Sequence, residues 1–418
     1  MRKQMLKQIF FIGVLVGCLG SVSAQTEKLT LETASEKLLQ KNLALEAARL
    51  EVTAAQQARV YARLRPRPTL NVSAENLRLS GPTSFGQLYE TSAVVTQPIP
   101  LGGQTKNRLE LAERTISLAE ARLDSVLRVR LAEMRRVYYE ALLAQTRVRI
   151  EEENFKNFEE LIRYSEVRLK EGDVAPAEVL KFRLERTKYV SAVANARLNL
   201  RQTKIRLFEL LGETDFIAIE RIELDQRFAF QDFNLNLTSL KENALANRPE
   251  IKVAEAELAR AQAVFRLERS RAKGEIEPYA GYRRVGPDNT VLAGVSIPLP
   301  FGNRNQATIA QAEVDQKIAA TALQQIKNRT LAEVEATFSA LETAREQIKA
   351  FDSGLLGQAD DLLQVAILSY REGAADQISL LEAQRARTDV QTNYYQNLLS
   401  YYINLFELEL LTGTEFKT

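Results

Sequence analysis

Apolar positions along the chain switch between a helical period and a strand period. From Leu31 to about Arg63 they recur every three or four residues, which predicts a helix that ends before two closely spaced prolines. Residues 69–97 then alternate apolar and polar side chains on either side of a turn that contains glycine and proline. This period of two predicts a β-hairpin with one apolar face.

The hairpin is followed by two long stretches without helix breakers. Residues 104–171 contain no glycine or proline, and residues 177–211 contain none either. We therefore expect two helices joined by a turn at Gly172, the first of them about 100 Å long. A helix of that length cannot be covered by one short neighbour, so the helices before and after it are predicted to pack against its two halves.

The same unit occurs twice in the chain. Pro-Ile-Pro-Leu-Gly at 98–102 returns as Pro-Leu-Pro-Phe-Gly at 298–302, and Leu-Phe-Glu-Leu at 207–210 recurs at 405–408. Repeats at a fixed offset indicate a tandem duplication. The second unit is predicted to contain a helix over about 238–272, strands over 276–285 and 290–297, a long helix over 304–372 and a return helix over 374–412.

These elements predict four segments. They are a signal peptide at 1–24, a first repeat at 25–212 with its hairpin at 69–97, an inter-repeat segment at 213–236, and a second repeat at 237–418 with its hairpin at 276–297. The inter-repeat segment is expected to be irregular or to contain short extended structure. Gly354 and Gly357 lie at mid-length in the second long helix, where glycine either loosens a helix or is merely tolerated.

The first residues are typical of an export signal. Arg2, Lys3 and Lys7 precede an apolar stretch, Ile9 to Leu19, that is too short to span a bilayer. Small residues up to Ala24 provide a cleavage site. A retained membrane anchor is the alternative interpretation of this segment.

The single cysteine lies inside that segment. Leu-Val-Gly-Cys at 15–18 resembles a lipoprotein cleavage box, which would make Cys18 a lipidated N-terminus. Cleavage after Ala24 is the favoured alternative, because Cys18 lies too few residues before the first helix to reach a membrane easily.

Composition argues against an enzyme. The chain has no histidine or tryptophan, and Cys18 is its only cysteine. The usual general bases, nucleophile pairs and soft-metal ligands are therefore missing, and no cofactor or metal site is expected. Acidic and basic residues nearly balance, with 54 and 56 in the whole chain, which gives no indication of nucleic-acid binding.

The four strands predict an oligomer. A four-stranded sheet with one apolar face cannot close into a barrel, and its open edges would be costly in lipid. Three copies would form a closed barrel of twelve strands, apolar outside and polar inside. The expected fold class is mainly α with a membrane β-barrel part, in which a duplicated long-helix and β-hairpin unit forms a trimeric α-barrel and a 12-stranded β-barrel.

The duplication, the two Pro-x-Pro motifs and the glycine-centred helical turns resemble the TolC-like outer-membrane efflux proteins. Arg-Pro-Glu at 248–250 matches that family as well, and Gly-Val-Ser-Ile-Pro-Leu-Pro at 294–300 resembles its heavy-metal-efflux branch. The resemblance covers nearly the whole chain after the signal segment. It implies a homotrimer in outer-membrane lipid with a helical tunnel in the periplasm, docked on a periplasmic adaptor protein and an inner-membrane transporter.

The resemblance also assigns candidate residues at the periplasmic tips. Adaptor docking is assigned to residues around the two helical turns, namely Arg168, Leu169, Gly172, Tyr370 and Gly373. The gate candidates are Glu178, Tyr370 and Glu382. Glu382 matches a lumen-facing carboxylate whose usual companion is replaced by Ser379 in this chain. Each of these residues could instead serve the helices alone, as a turn glycine, a packing tyrosine or a solvated side chain.

Three functions remain open at this point. The favoured one is the exit duct of a tripartite efflux pump that exports small molecules or metal ions. The alternatives are the exit duct of a type I protein secretion system and a periplasmic coiled-coil scaffold without a channel. The sequence does not distinguish metal, drug and polypeptide as cargo.

Overall fold

The computed structural model describes residues 27–77, 89–225, 228–299 and 301–416. The signal segment predicted at 1–24, Cys18 within it, and the first hairpin turn at 78–88 lie outside the described residues.

The first half of the chain contains a short strand, two consecutive helices, a hairpin, a long helix and a return helix. In chain order these elements are β1 (Glu27–Leu29), α1 (Leu31–Lys41), α2 (Leu43–Arg63), β2 (Thr69–Glu75), β3 (Glu90–Thr96), β4 (Ile99–Pro100), α3 (Gln104–Glu171) and α4 (Pro176–Leu210). The helix predicted at 104–171 is confirmed at both ends.

The second half repeats this order after a short connecting segment. The connection holds a 3₁₀ turn (Ala218–Arg221) and strand β5 (Ile222–Leu224). The following elements are α5 (Leu237–Asn247), α6 (Pro249–Arg271), β6 (Glu275–Val285), β7 (Asp288–Ser296), α7 (Gln306–Ala350), a π-helical turn (Phe351–Leu355), α8 (Leu356–Arg371) and α9 (Gln377–Thr412).

The single helix predicted from Leu31 to Arg63 is wrong, because the chain breaks it at Asn42. The Asn42 side chain accepts hydrogen bonds from the backbone N–H groups of Ala44 and Leu45 and so caps α2. Its amide donates to the Leu210 carbonyl at 2.8 Å. The asparagine thus begins a new helix and ties it to the end of α4.

Two of the three helices predicted for the second half are interrupted as well. The helix expected over 238–272 divides at Arg248, because Pro249 occupies the first position of α6 and cannot continue α5. The helix expected over 304–372 is interrupted by the π turn, inside which Gly354 adopts φ 123° and ψ −4°. Of the two glycines considered from the sequence, Gly354 breaks the helix and Gly357 lies within regular α8.

The helices form a layer with a fixed neighbour order. In the half next to the hairpins the packing order is α2–α3–α6–α7, and in the other half it is α4–α3–α9–α8. Helix α3 therefore packs against two half-length helices on the same side, α2 and α4, as its length predicts. The outermost helices of the layer are α2 and α4 on one edge and α7 and α8 on the other.

The main hydrophobic core lies where the half of the helical layer next to the hairpins meets the other half. It includes Met134 and Tyr138 of α3, Leu341 of α7 and Tyr401 of α9. The hydroxyl of Tyr138 donates to the Leu29 carbonyl at 2.8 Å. Strand β1 pairs in parallel with β5, so this core also fixes the start of the described chain to the connecting segment.

The hairpins join into one sheet in the order β2–β3–β6–β7, with antiparallel neighbours. Register places Val72, Ala93, Tyr282 and Val291 in one row across it. The adjacent row on the opposite face runs through Ser73, Ser92, Arg283 and Thr290. The sheet therefore has one apolar and one polar face, as predicted, and β2 and β7 are its edges.

Among the helices that the structure describes, none combines the length and the apolar character needed to cross a membrane.

Candidate functional site

Two helical turns form the end of the molecule opposite the hairpins. Helix α3 ends at Gly172 and helix α8 ends just before Gly373, with φ values of 85° and 73°. At the first turn, the N–H groups of Gly172 and Asp173 donate to the carbonyls of Leu169 and Arg168 at 3.2 and 2.9 Å. These bonds satisfy carbonyls at the helix end in a left-handed conformation that glycine adopts without strain.

Tyr370 and Glu178 connect the two turns. Tyr370, in the last turn of α8, is 1% exposed. Its hydroxyl donates a hydrogen bond to Oε1 of Glu178, in the first turn of α4, at 2.7 Å. The structure therefore brings together two gate candidates that are 192 residues apart in the chain. Their role in gating stays a prediction.

Arg168 supports the same tyrosine from the side. Its guanidinium donates to the Tyr370 carbonyl at 3.2 Å and lies 5.5 Å from the centre of the Tyr370 ring. A Cβ on Gly373 would lie 3.7 Å from Nη2 of Arg168. Leu169 is half-buried and contributes its carbonyl to the first turn. Of the residues assigned to adaptor docking, Arg168 and Tyr370 thus also hold the two turns against each other.

Behind the turns lies a second apolar cluster, here called the tip cluster. Its buried members come from α3, α4, α8 and α9 and are Phe158, Leu161, Ile162, Phe182, Leu363, Tyr370, Leu380 and Ala383. Tyr370 contacts Phe182 edge to face, with ring centres 6.0 Å apart. Such a contact adds about 0.5–1.5 kcal/mol to the area buried. The tip cluster therefore packs the two turns against each other.

Burial has a consequence for the protonation of Tyr370. Desolvation, and after it the hydrogen bond to Glu178, raise the pKa of the Tyr370 phenol well above its ordinary value near 10. The hydroxyl is therefore a permanent donor at physiological pH. Only the acceptor side of the contact is a charged carboxylate.

Glu382 does not belong to this arrangement. It is exposed on α9, whereas Leu381 and Ala383 on either side of it pack on or within the tip cluster. Ser379 has a local role, since its N–H and hydroxyl both donate to Asp376, the N-cap of α9, at 2.9 and 2.7 Å. The hydrogen bond from the Ser379 N–H is the main cause of the lowered pKa of the Asp376 carboxyl. The structure thus places Glu382 on the helix surface and leaves its lumen role a prediction.

A second contact between helices, which the sequence analysis missed, lies below the tip cluster. Arg387 of α9 pairs with Asp360 of α8 at 2.5 Å and with Glu153 of α3 at 3.3 Å. Beside it, the buried amide of Gln384 donates to Asn154 at 3.0 Å. The only sequence signal was a set of polar residues on otherwise apolar helix faces, and such residues are usually solvated.

The π turn lies on the far side of this contact from the tips. A Cβ on Gly354 would meet the Gln358 side chain only at 3.9 Å, so a substitution there is opposed by the φ of 123° and not by lack of space. The ring of Phe351 contacts Tyr394 of α9 at 6.1 Å between centres. Helix α8 is therefore joined to α7 through the π turn, and the contacts of Arg387 and Tyr370 hold it to the rest of the layer.

Within the described part of the chain, Asp and Glu side chains form no group that could hold a metal ion.

The chain matches the outer membrane efflux protein family over residues 34–213 and again over 240–414. It belongs to this family. The two matched segments correspond to the two helix and hairpin units. The family match therefore covers most of the residues that the structure describes.

Individual relatives agree with this assignment. The efflux protein is 27% identical over 379 residues to the cobalt-zinc-cadmium resistance protein CzcC of Cupriavidus metallidurans, covering 88% of this chain and 85% of that protein. Its fold is similar to the crystal structure of CusC, with a TM-score of 0.75, 21% identity and 92% of both chains covered. The CmeC outer membrane channel of Campylobacter jejuni aligns with a TM-score of 0.77 and 14% identity, covering 100% of this chain and 95% of that one.

Proposed function

We propose that the efflux protein is the exit duct of a tripartite efflux pump and that three copies assemble into one channel. The observation that carries the proposal is the sheet with one apolar face and two unpaired edges, attached to a helical layer about 100 Å long. A barrel in the outer membrane would complete the sheet, and a tunnel in the periplasm would complete the layer.

The apolar face of the sheet is suited to lipid. Large apolar side chains in it are exposed in the single chain, with Val72 at 70%, Leu70 at 66% and Val291 at 85%. In the outer membrane these side chains would contact acyl chains. The row of serine, threonine and arginine on the other face would line a water-filled interior.

The edges of the helical layer also need neighbours. Large apolar residues that are more than half exposed concentrate on the outermost helices; they are Leu43, Leu50, Val60, Tyr61, Leu180, Leu184, Leu198, Val314, Ile318, Leu362, Val365 and Leu368. Left uncovered, such stripes would favour aggregation. Contact between the α2/α4 edge of one copy and the α7/α8 edge of the next would bury them.

The strand edges of the sheet and the helix edges of the layer favour the same arrangement of copies. Joining β7 of one copy to β2 of the next also brings α7 and α8 of the first copy beside α2 and α4 of the second. A head-to-tail contact of this kind closes into a ring. Three copies supply twelve strands, which is within the range of outer-membrane barrels.

Assembly is tested by the mass of the detergent-solubilised protein. Analytical ultracentrifugation in mild detergent should give a single species of about three chain masses, and planar bilayers should show discrete conductance steps. A control variant should carry aspartate on the apolar face of the edge strand, as Val291→Asp, which would lower barrel yield by placing a charge in lipid. A monodisperse wild-type monomer would refute the barrel and the channel together.

Glu178 and Tyr370 are proposed to hold the tips closed, and the surfaces around Gly172 and Gly373 to dock a periplasmic adaptor. Support for the first role is the part-buried contact between the two turns. Support for the second is the exposure of both glycines at the end of the molecule. Glu382 is proposed to face the tunnel after assembly, because it is exposed on a helix whose neighbouring positions are packed.

Divalent metal ions are the proposed cargo. The similarity to the cobalt-zinc-cadmium resistance protein supports this proposal. Deletion of the gene should lower resistance to cobalt, zinc or cadmium, and the wild-type gene supplied in trans should restore it. A deletion strain that loses drug tolerance or polypeptide secretion, with metal tolerance intact, would assign a different pump.

A further inference from the structure

Basic residues concentrate where the strands meet the helices. Residues 61–68, 101–108, 269–275 and 297–306 together carry nine lysines and arginines and one acidic residue, in a chain whose totals are 56 basic and 54 acidic. The four segments meet at one end of the sheet, because β2 and β6 begin there and β3 and β7 end there. We call these segments the basic collar.

One part of the collar forms a cleft between the end of α6 and the loop after β7. The cleft has a volume of about 500 Å³, and Arg271, Lys273 and Arg304 provide its charged lining. Arg271 pairs with Glu268 at 2.6 Å, yet its side chain is 53% exposed. Glu268 is itself buried and accepts a second hydrogen bond, from Asn305 at 3.0 Å. Its charge is therefore shared between two donors, and the cleft keeps a positive balance.

Lys273 is positioned by a glycine. A Cβ on Gly102 would lie 2.5 Å from the Lys273 Cδ, so the lysine stem can cross the junction only because residue 102 has no side chain. The stem packs over Gly102, and Lys273 is one of the residues that line the cleft. This position is therefore specified by packing and does not depend on a chance surface rotamer.

Apolar side chains adjoin the cleft on the side of the sheet. Ile297, Leu299 and Phe301 are 57%, 68% and 80% exposed. Leu299 lines the cleft, and these residues follow directly after β7, on which Val291 and Val295 are also exposed. A positive cleft thus adjoins an apolar strip that leads onto the face proposed to contact lipid.

From this arrangement we infer that the cleft binds the headgroup of an anionic phospholipid of the periplasmic leaflet, with an acyl chain along Leu299 and Phe301. The inference rests on the proposed function, because that function places the apolar face of the sheet in a membrane. A guanidinium offers a fork of N–H donors that matches a phosphate, and lysine supplies a compact positive charge. Charge complementarity and continuity with the apolar face both favour a lipid over a second copy of the chain as the occupant.

The test compares lipid binding by purified wild-type protein and by Arg271→Gln/Lys273→Gln/Arg304→Gln in neutral detergent. The probes are phosphatidylglycerol and phosphatidylcholine of equal chain length, and native mass spectrometry counts the lipids retained on the assembled protein. Each basic residue near an anionic surface changes affinity by about fivefold, so the triple variant should bind phosphatidylglycerol at least tenfold more weakly. Phosphatidylcholine binding should change little.

A matched control removes three arginines from α4, which lies in the half of the helical layer away from the hairpins. Arg197→Gln/Arg201→Gln/Arg206→Gln removes side chains that are 65%, 61% and 60% exposed, and should keep wild-type selectivity for phosphatidylglycerol. Gly102→Ala, which displaces Lys273, should lower phosphatidylglycerol binding with the cleft charges still present. If the triple variant folds poorly because the ion pair between Arg271 and Glu268 is missing, Lys273→Gln/Arg304→Gln tests phosphatidylglycerol binding in its place.

Two results would overturn the inference. One is equal binding of phosphatidylglycerol by wild type and triple variant. The other is a triple variant that loses assembly with unchanged lipid selectivity, which would show that the cleft is covered by a neighbouring copy. Single-channel conductance separates this inference from the proposed function, because a variant that loses lipid selectivity should still assemble and conduct.

Discussion

Removal of the Tyr370 hydroxyl tests whether the contact between the two helical turns holds the channel closed. Tyr370→Phe keeps the ring in the tip cluster and deletes only the hydrogen bond to Glu178, which is 2.7 Å long. A hydrogen bond to a charged group contributes about 1.5–3 kcal/mol. Because the contact is part-buried, the lower end of this range applies, and the closed-to-open ratio should fall about tenfold for each subunit.

Planar-bilayer recording measures this shift directly. If three subunits open together, the effects multiply, so Tyr370→Phe should raise the ratio of open to closed channels by roughly three orders of magnitude. Glu178→Gln keeps an acceptor without the charge and should give a smaller rise. The double variant should resemble Tyr370→Phe, because both changes remove the same contact.

The matched control is Tyr402→Phe. The Tyr402 hydroxyl donates to the Ala229 carbonyl at 2.7 Å in the main core, away from the tips. This variant should lose a little stability and keep wild-type conductance. Wild-type conductance of an intact Tyr370→Phe trimer would refute the gating role, as would an equal rise in Tyr402→Phe.

Three further predictions concern the tips and the helix interruption. Gly172→Val and Gly373→Val should abolish efflux while trimer yield stays normal. The control is Gly302→Val, which imposes similar strain at φ 80° away from the tips. Loss of folding in the tip variants alone would favour a purely structural role for the two glycines. Gly354→Ala should raise open probability, because it disfavours the φ of 123° that the π turn adopts while the contact between Tyr370 and Glu178 is made. Gly357→Ala, in regular helix, should raise stability by about 0.5–1 kcal/mol and leave gating unchanged. Equal effects of the two would exclude Gly354 as a hinge. Because the pKa of Tyr370 is raised, the stability that its neutral form provides is complete below about pH 10 and is lost only as pH rises through the raised pKa. The conductance difference between wild type and Tyr370→Phe should therefore be constant from pH 5 to 9. A step within that range would assign gating to another group.

The sequence predicted best those elements whose limits depend on local chemistry. Both ends of helix α3 were predicted to the exact residue, because the helix lacks glycine and proline and ends where Gly172 adopts a left-handed conformation. The break at Asn42 was missed because nothing local requires it. Asparagine is tolerated in helices, and its capping role here depends on a hydrogen bond to Leu210, which comes from a distant part of the chain.

The candidate site was likewise predicted only in part. Tyr370 and Glu178 were indicated by resemblance to a family, and periodicity alone would have assigned the tyrosine to packing. Both descriptions hold in the structure, since Tyr370 is buried and also hydrogen-bonded across the turns. The contacts of Arg387 and Asn154 could not be predicted, because they depend on how α3, α8 and α9 align along their length.

The edges of the molecule show why duplication and assembly are connected. Each half contributes one hairpin and one set of helices, so sheet and layer begin with elements of the first half and end with elements of the second. The contact between β3 and β6 joins the two halves inside one chain. A contact between β7 and β2 of the next copy would join a second half to a first half in the same antiparallel sense. Three such copies would form a ring of six similar units, in which every strand edge is paired and every apolar helix edge is covered.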